Sequence, residues 1–340
     1  MAPTRGTREV VMAAARGTSA AELRTAIISP LQRLMSVGPV FVAAADPTTW
    51  MFTGGANDGI SAEATQRFMA NEIGAADVVT FGSLARARKP VQSLYAAAGS
   101  QPESSARWRD VLEPQGWGDE LRAALRDRSG VWGFLCLHRF AGDRPFDAQD
   151  VARLSEVLPA LTEAFRRTAA VGPPAIHPAA KGPGVILLRP DLSVAAVTGS
   201  AGELLDELSR DDPSYDVPLP IANLALRLLS EQAPQRLTMR TPSGRGVSLH
   251  AGLLDGDSAG GIAIVVEPPT PASMLPLFAA TISLTPRETE IAAAILRGDS
   301  TRLAARQLGI SELTAQTQMR SVFAKAGVHS RGELVARLLG

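Results

Sequence analysis

The sequence predicts a multidomain chain: two mixed α+β modules, then an all-α module of four helices at the C-terminus. Length is the first observation behind this. At roughly 100–200 residues per domain, 340 residues make two or three domains. The second is a pair of proline-rich stretches, 169–183 and 268–276. Proline fixes φ and removes a backbone donor, so such runs resist helix and sheet and read as linkers. The third is a change of pattern. Strand-like and helix-like runs mix up to residue 267, and only helix signals follow residue 282.

In the first module, residues 10–15 form a short apolar helix that stops at Arg16. Residues 39–45 and 50–53 read as strands joined by an Asp46-Pro47 turn, and 62–72 as a helix. Runs 120–126 and 131–139 flank Asp127-Arg128-Ser129-Gly130 and read as a hairpin. Residues 148–167 are an amphipathic helix, with Val151, Leu154, Leu158, Leu161 and Phe165 at spacings of three and four. Asp143, Asp147 and Asp150 around its start suit the positive end of the helix dipole.

The second module opens on strands 185–188 and 193–198 around a Pro190-Asp191 turn. Helices follow at 199–208 and 221–229. Strands 236–241, 246–254 and 260–267 close it as an antiparallel meander, with Ser243-Gly244 and Asp255-Gly256 as turns.

The third module is punctuated by caps. Thr285-Pro-Arg-Glu288 is a capping box with proline at the first helical position, and Gly298 ends that helix. Ser300 and Gly309 bound the second helix, and Ser311 and Gly327 the third. Ser330-Arg-Gly-Glu333 is a capping box for the fourth, and the tight turn at 307–311 joins helices two and three.

Composition excludes more than it selects. The chain carries 34 Lys+Arg and 34 Asp+Glu, but from Ile282 onward eight basic residues face five acidic ones. That mild basic bias suits DNA. Hydrophobic residues make up 45%, ample for packed cores. No apolar run reaches the ~18 residues of a membrane helix, and run 10–15 is too short for a secretory signal. A cytoplasmic protein is expected. The lone cysteine, Cys136, sits on an apolar run and reads as core. Four histidines, no Gly-x-Ser-x-Gly, no paired metal motif and no Walker loop around Lys181 argue against an enzyme, so no cofactor is expected. Cys136 and His138 have no further ligands in the sequence, so no metal is expected either.

The third helix of the last module, 312–326, carries the chemistry. Turning about 100° per residue, it gathers Ala315, Met319, Val322 and Ala326 into one buried stripe. Thr314, Gln316, Thr317, Arg320, Ser321 and Lys325 fall on the other side, with no acid after Glu312. Gln can pair with adenine, Arg with guanine, and a Thr methyl can meet thymine in a major groove ~12 Å wide.

Leu284-Thr-Pro-Arg-Glu288, Glu290-Ile291, Arg297-Gly298, Ser300, Leu308-Gly-Ile-Ser311, Thr314, Lys325, Gly327-Val328 and Ser330-Arg331 together resemble the LuxR/FixJ-type helix-turn-helix. The resemblance implies a DNA-binding domain over 282–340 in which the third helix reads the major groove and the fourth supports dimerisation. It implies base contacts for Gln316, Thr317 and Arg320, and phosphate contacts or positioning for Thr314, Ser321 and Lys325. The chain departs from the family at 315–318, where Ala-Gln-Thr-Gln stands for the common Val-Lys-Asn-His, and at Ala304, where a larger apolar residue is common. Gln316 therefore removes one cation.

Residues 20–168, with the run 131–139, Phe146 and the long helix after it, are similar to a GAF domain, and 183–268 to a PAS domain. The whole resembles the GAF–PAS–LuxR-type regulators of actinobacteria. It implies a homodimer on double-stranded DNA with a small-molecule effector, no membrane partner, and sensory modules that modulate binding. Phe41, Trp50, Phe52, Trp132 and Phe134 are the candidate pocket lining, or plain core. The long helix packs on its own sheet or pairs with a second copy. Two alternatives stand beside this. A phosphorylation-controlled response regulator would use Asp46, which follows a strand but lacks a preceding acidic pair. A degenerate family member would have lost DNA binding.

Overall fold

The computed structural model describes residues 4–74, 77–170, 182–211, 217–255 and 260–339. Helices α1 (Arg5–Arg16) and α2 (Ala20–Met35) precede a first sheet of β1 (Val40–Ala45), β2 (Phe52–Asp58), β3 (Val91–Ser93), β4 (Trp117–Arg126) and β5 (Val131–Phe140). Between its strands lie α3 (Ala62–Gly74), α4 (Phe81–Arg86) and α5 (Leu94–Ala97), and after it comes α6 (Ala148–Ala170). The second sheet comprises β6 (Gly184–Leu188), β7 (Val194–Val197), β8 (Gln235–Arg240), β9 (Gly246–Leu253) and β10 (Ile262–Glu267), with α7 (Gly199–Asp211) and α8 (Leu219–Glu231) in its middle. Five helices finish the chain: α9 (Pro271–Thr281), α10 (Pro286–Leu296), α11 (Thr301–Gln307), α12 (Glu312–Ala326) and α13 (Arg331–Leu339). Among the described residues no helix is long and apolar enough to cross a membrane.

Both sheets are antiparallel, in the orders β2-β1-β5-β4-β3 and β7-β6-β10-β9-β8. Counted within each sheet, the two orders are the same. The first sheet buries both faces. On β5, Leu135 and Leu137 join a cluster with α2 and α6, while Phe134 and Cys136 join one with α3 and α4. Strand alternation accounts for that division. The long helix thus packs on its own sheet: Leu154, Leu158, Leu161 and Phe165 are all buried there.

The structure differs from the sequence reading at the proposed second linker. Residues 271–276 are helical, not extended. Thr270 caps α9 and Ser273 completes a capping box. Pro271 takes a first-turn position, where its missing N–H would have had no partner in any case. Pro276 does lie inside the helix. Burial of Met274, Leu275, Leu277 and Phe278 offsets that lost hydrogen bond. Helix α9 packs on α6 and β8 of the two sheet units and on α10 and α13 of the last one. It is a shared core element rather than a tether. Of the first proposed linker, residues 169 and 170 belong to α6 and 171–181 lie outside the described residues.

The sheet units also exchange core residues. The strand expected at 50–53 begins at Phe52 and runs to Asp58. Met51, just before it, is buried in the second unit's core with Ile186, Leu224 and Leu249. In return Leu219 of α8 is buried in the cluster that holds Phe41 and Phe68. Replacing Met51 by Ala should therefore lower the unfolding free energy by about 2–4 kcal/mol. Urea unfolding of the full chain reads this, and a loss near zero would place Met51 outside the core.

Candidate nucleic-acid interface

Each of the last helices starts where its cap dictates. The Thr285 hydroxyl accepts from the Glu288 N–H and the Glu288 carboxylate accepts from the Thr285 N–H at 2.7 Å, a complete capping box. Ser300 and Ser311 accept from the N–H groups of Leu303 and Thr314. Gly327 ends α12 in the left-handed region, at φ 64°. The fourth box is displaced by one residue: Ser330 accepts from the Glu333 N–H, but the Glu333 carboxylate reaches back to the His329 N–H.

Helix α12 buries Ala315, Met319, Val322 and Ala326 against α10 and α11. Thr314, Gln316, Thr317 and Arg320 are exposed. Among the described residues, Gln316 and Arg320 have no hydrogen-bond or ion-pair partner, so both side chains are free to meet a ligand. The Thr317 hydroxyl donates to the Leu313 carbonyl at 2.9 Å, which leaves its methyl and a lone pair outward. Thr314 shares a hydrogen bond with the Ser311 hydroxyl. The lone acid of this helix, Glu312, pairs with Arg302 at 3.7 Å.

Ser321 and Lys325 behave differently. The Ser321 hydroxyl donates to Glu288 at 2.6 Å, and the Lys325 ammonium donates to the other carboxylate oxygen at 2.6 Å and to the Ser283 carbonyl. Both sit on a side flank of α12, turned toward α10, and are engaged within the chain. Burial works against the charge of Glu288, but Lys325, Ser321 and Thr285 outweigh it and hold its carboxyl at about 2. Leu313, 69% exposed, completes the outward stripe with Gln316, Thr317 and Arg320 at helical spacing. Sequence reasoning missed it. A single apolar residue on a polar face was the available signal. Among the described residues Arg306, Arg320, Arg331 and Arg337 have no carboxylate partner, but Arg331 donates to the Asp299 carbonyl, which leaves Arg306, Arg320 and Arg337 as the open cations of this module.

The candidate pocket residues divide: Trp50, Phe52 and Phe134 border one cavity, Phe41 is core beside them, and Trp132 is on the opposite face. Phe41, Phe52 and Phe134 pack against Phe68 and Phe81 at ring-centre distances of 4.5–6.4 Å, so the cup between sheet and α3/α4 is filled. Trp132 lies across the sheet. Arg126 pairs with Val131 and Leu125 with Gly133, so Trp132 is the extra residue of a β-bulge. The bulge flips its side chain into the cluster with α2 and α6. Trp50, half-buried and at φ 61°, packs on the edge of the Phe41 cluster and shares one cavity with Phe52 and Phe134.

Two further readings meet the structure here. Strand register sets Glu120 opposite His138, so Glu120, Cys136 and His138 bring donor atoms within 4.8 Å of one another. The sequence did not suggest that third group. Yet Glu120 already takes Arg107 at 2.8 Å and Arg122 at 3.2 Å, and Arg122 also donates to the Cys136 sulfur. Burial pushes the Cys136 thiol up. Two fixed cations in the cluster oppose a third, so the group reads as a buried ion-pair network. Asp46, the residue a phosphorylated receiver would use, is buried and accepts from the N–H and hydroxyl groups of both Thr48 and Thr49. It is a turn residue.

Protonating Glu288 breaks the tie between α10 and α12. Its folded pKa of about 2 lies below its ordinary value of 4.5, so the stability it contributes is full above pH 4.5 and is lost as pH falls toward 2. Unfolding midpoints of the chain and of E288Q should converge over that window and differ at pH 7. A constant difference across the window would remove Glu288 from this role.

Over 54 residues the chain is 48% identical to the monoamine regulon transcriptional regulator of Klebsiella aerogenes, a stretch that is 16% of this chain and 24% of that protein. The chain thus spans about a quarter of the curated relative it matches. Among solved structures, it is similar to SdiA of Escherichia coli (10% identity, TM-score 0.38, covering 97% of this chain and 94% of that one). It is also similar to the GAF domain of an Acinetobacter phosphoenolpyruvate-protein phosphotransferase (14% identity, TM-score 0.35, covering 49% and 94%). Residues 282–338, the four helices that carry the exposed stripe, match the family of bacterial regulatory proteins called the luxR family.

Proposed function

We propose that this chain is a cytoplasmic, sequence-specific DNA-binding transcriptional regulator, not an enzyme, and that it acts as a homodimer on an inverted repeat. The observation that carries this is the solvent-exposed stripe of Leu313, Gln316, Thr317 and Arg320 on a capped helix of a luxR-family segment. Its polar members are hydrogen-bonding side chains without acids among them, and Leu313 and the Thr317 methyl suit thymine methyls. Domains are assigned at 20–168 for a GAF-like unit, 183–268 for a PAS-like unit and 282–340 for the DNA-binding unit.

In this reading two copies of α12 enter successive major grooves. Arg320, Gln316 and Thr317 read base edges, with Leu313 beside them. Thr314 positions the first turn. Ser321 and Lys325 orient α12 through Glu288 rather than touching phosphates. The sensory units act through α9, whose neighbours belong to all three units. Arg166 of α6 donates to the Thr281 carbonyl at the end of α9 at 2.8 Å, and Arg240 of β8 donates to the Leu338 carbonyl of α13. An effector shifts DNA binding only by favouring one arrangement of these contacts over another. Leu334 and Leu338 of α13 are buried, and α13 packs on α9 of the same chain. A dimer made through α13 with α9 in place uses the outward face of that helix, where Leu339 is exposed.

Gel-shift titration of the full chain against DNA from its own upstream region tests the proposal. Arg320→Ala should cost about 1–3 kcal/mol at a matched site and relax the base preference there. Unchanged affinity and preference would remove Arg320 from the reading set. Because Gln316 replaces the family's lysine and Lys325 is engaged internally, the salt dependence should be shallow. Gln316→Lys should steepen the slope of log affinity against log salt by about 0.9, the value for one further phosphate. An unchanged slope would show that a cation at 316 reaches no phosphate and would remove Gln316 as a cause of the shallow dependence.

A further inference from the structure

A cavity of about 270 Å³ lies outside the filled aromatic cup, at the seam between the first unit and α8 of the second. Its volume is just under the ~300–1,000 Å³ usual for small-molecule sites. Half-buried Trp50, with Phe81 and Phe134 buried behind it, supplies an aromatic wall, and Asn223 and Arg227 of α8 close the other side.

Two polar groups in it lack partners. Asn223 is 3% exposed, and among the described residues its side-chain oxygen accepts no hydrogen bond. A buried acceptor left unmade is rare in folded proteins and marks a place for a donor. Arg86, exposed at the mouth, has no carboxylate partner among the described residues; its guanidinium stands 5.2 Å from the centre of the Trp50 ring. The acids nearby are already committed. Glu72 takes Arg122 and the Phe81 N–H, Asp77 takes Asn71, Ser105 and the Arg107 N–H, and Glu231 lies 3.7 Å from Arg227. The unspent charge is positive.

The backbone adds to this. Trp50 is held at φ 61°, a conformation unfavourable for a bulky side chain. The Asp46 turn fixes it there, with the Trp50 N–H donating to the Asp46 carbonyl. Such strain persists where the surroundings impose it, and here it delivers an indole to the cavity.

We propose that this seam binds a small aromatic carboxylic acid that also carries an N–H or O–H donor. The ring stacks on the aromatic wall, the carboxylate pairs with Arg86, and the donor reaches the Asn223 oxygen. Because Trp50 and Arg86 belong to the first unit and Asn223 to the second, the occupant bridges the two. This site stands independently of DNA binding and is tested without DNA.

Isothermal titration of the full chain with indole-3-acetate and 4-hydroxyphenylacetate, and with the neutral alcohol indole-3-ethanol, decides it. The expected result is that both acids bind and the alcohol binds at least tenfold more weakly. Arg86→Gln, at an exposed position, should abolish the preference for acid over alcohol. Asn223→Leu should weaken both acids at least tenfold. If neither acid binds at millimolar concentration, or if Arg86→Gln leaves the acid preference intact, the proposal is overturned. An Asn223→Leu variant that folds and binds as before overturns the donor contact. If that variant does not fold, the Arg86→Gln result alone decides.

Discussion

The geometry of the exposed α12 stripe depends on one buried carboxylate. Glu288 receives the Thr285 N–H from its own helix start and the Ser321 and Lys325 side chains from α12. A buried carboxylate without partners is strongly unfavourable, so α12 is held in the one rotation that supplies them. At about 100° per residue, a slip of one position would move Ser321 and Lys325 off Glu288 and turn Met319 or Val322 toward water. The same rotation leaves Leu313, Gln316, Thr317 and Arg320 outermost. Orientation of the reading face and loss of two polar groups from it are thus one event. A hydroxyl and an ammonium that could have met phosphates are used to aim their neighbours.

The second constraint is continuity of the core. One apolar cluster runs from α1, α2 and α6 through Met274, Leu277 and Phe278 of α9 to Ile291, Val322 and Leu334 of the last module. Met51 and Leu219 cross the seam between the sheet units in opposite directions. A chain of independent beads would bury no such residues. Motion of one unit against another must expose apolar surface at roughly 25 cal/mol per Å². Rearrangement is consequently expected as a switch between packed states rather than a free swing.

Local chemistry was the part of this legible in the sequence. The Thr285, Ser300 and Ser311 caps and the left-handed Gly327 each mark a helix end on the basis of a few residues, and the structure places them as read. In the second sheet unit the order of strands and helices followed from periodicity and turn residues in the same way; in the first, α2, α4, β3 and α5 went unread. What escaped were features set by distant partners. Nothing near Lys325 says that Glu288 lies within reach. Nothing near Pro276 says that burial on α6 and β8 makes a helix worth its missing hydrogen bond. Trp132 and Phe134 are two residues apart and would share a face on a regular strand, but the bulge opposite Leu125 and Arg126 separates them. The aromatic residues were singled out as a group; register, not composition, distributes them among a filled cup, a seam and the opposite face.

The second sheet unit occupies the mechanically decisive position. One of its helices, α8, walls the seam cavity, and the Ser230 hydroxyl on that helix donates to the Ile73 carbonyl of α3 at 3.2 Å. Its edge strand β8 touches both α8 and α9, and Arg240 on that strand reaches α13. A rotation of this unit against the first one cannot alter the cavity without also altering the support under α9 and α13. Any ligand that prefers one width of the seam therefore prefers one placement of the last module, and thermodynamic reciprocity requires that any partner which selects a placement also select a seam width. The coupling needs no special relay of residues: it follows from a sheet unit that walls the seam cavity on one side and supports the helix carrying the last module on the other.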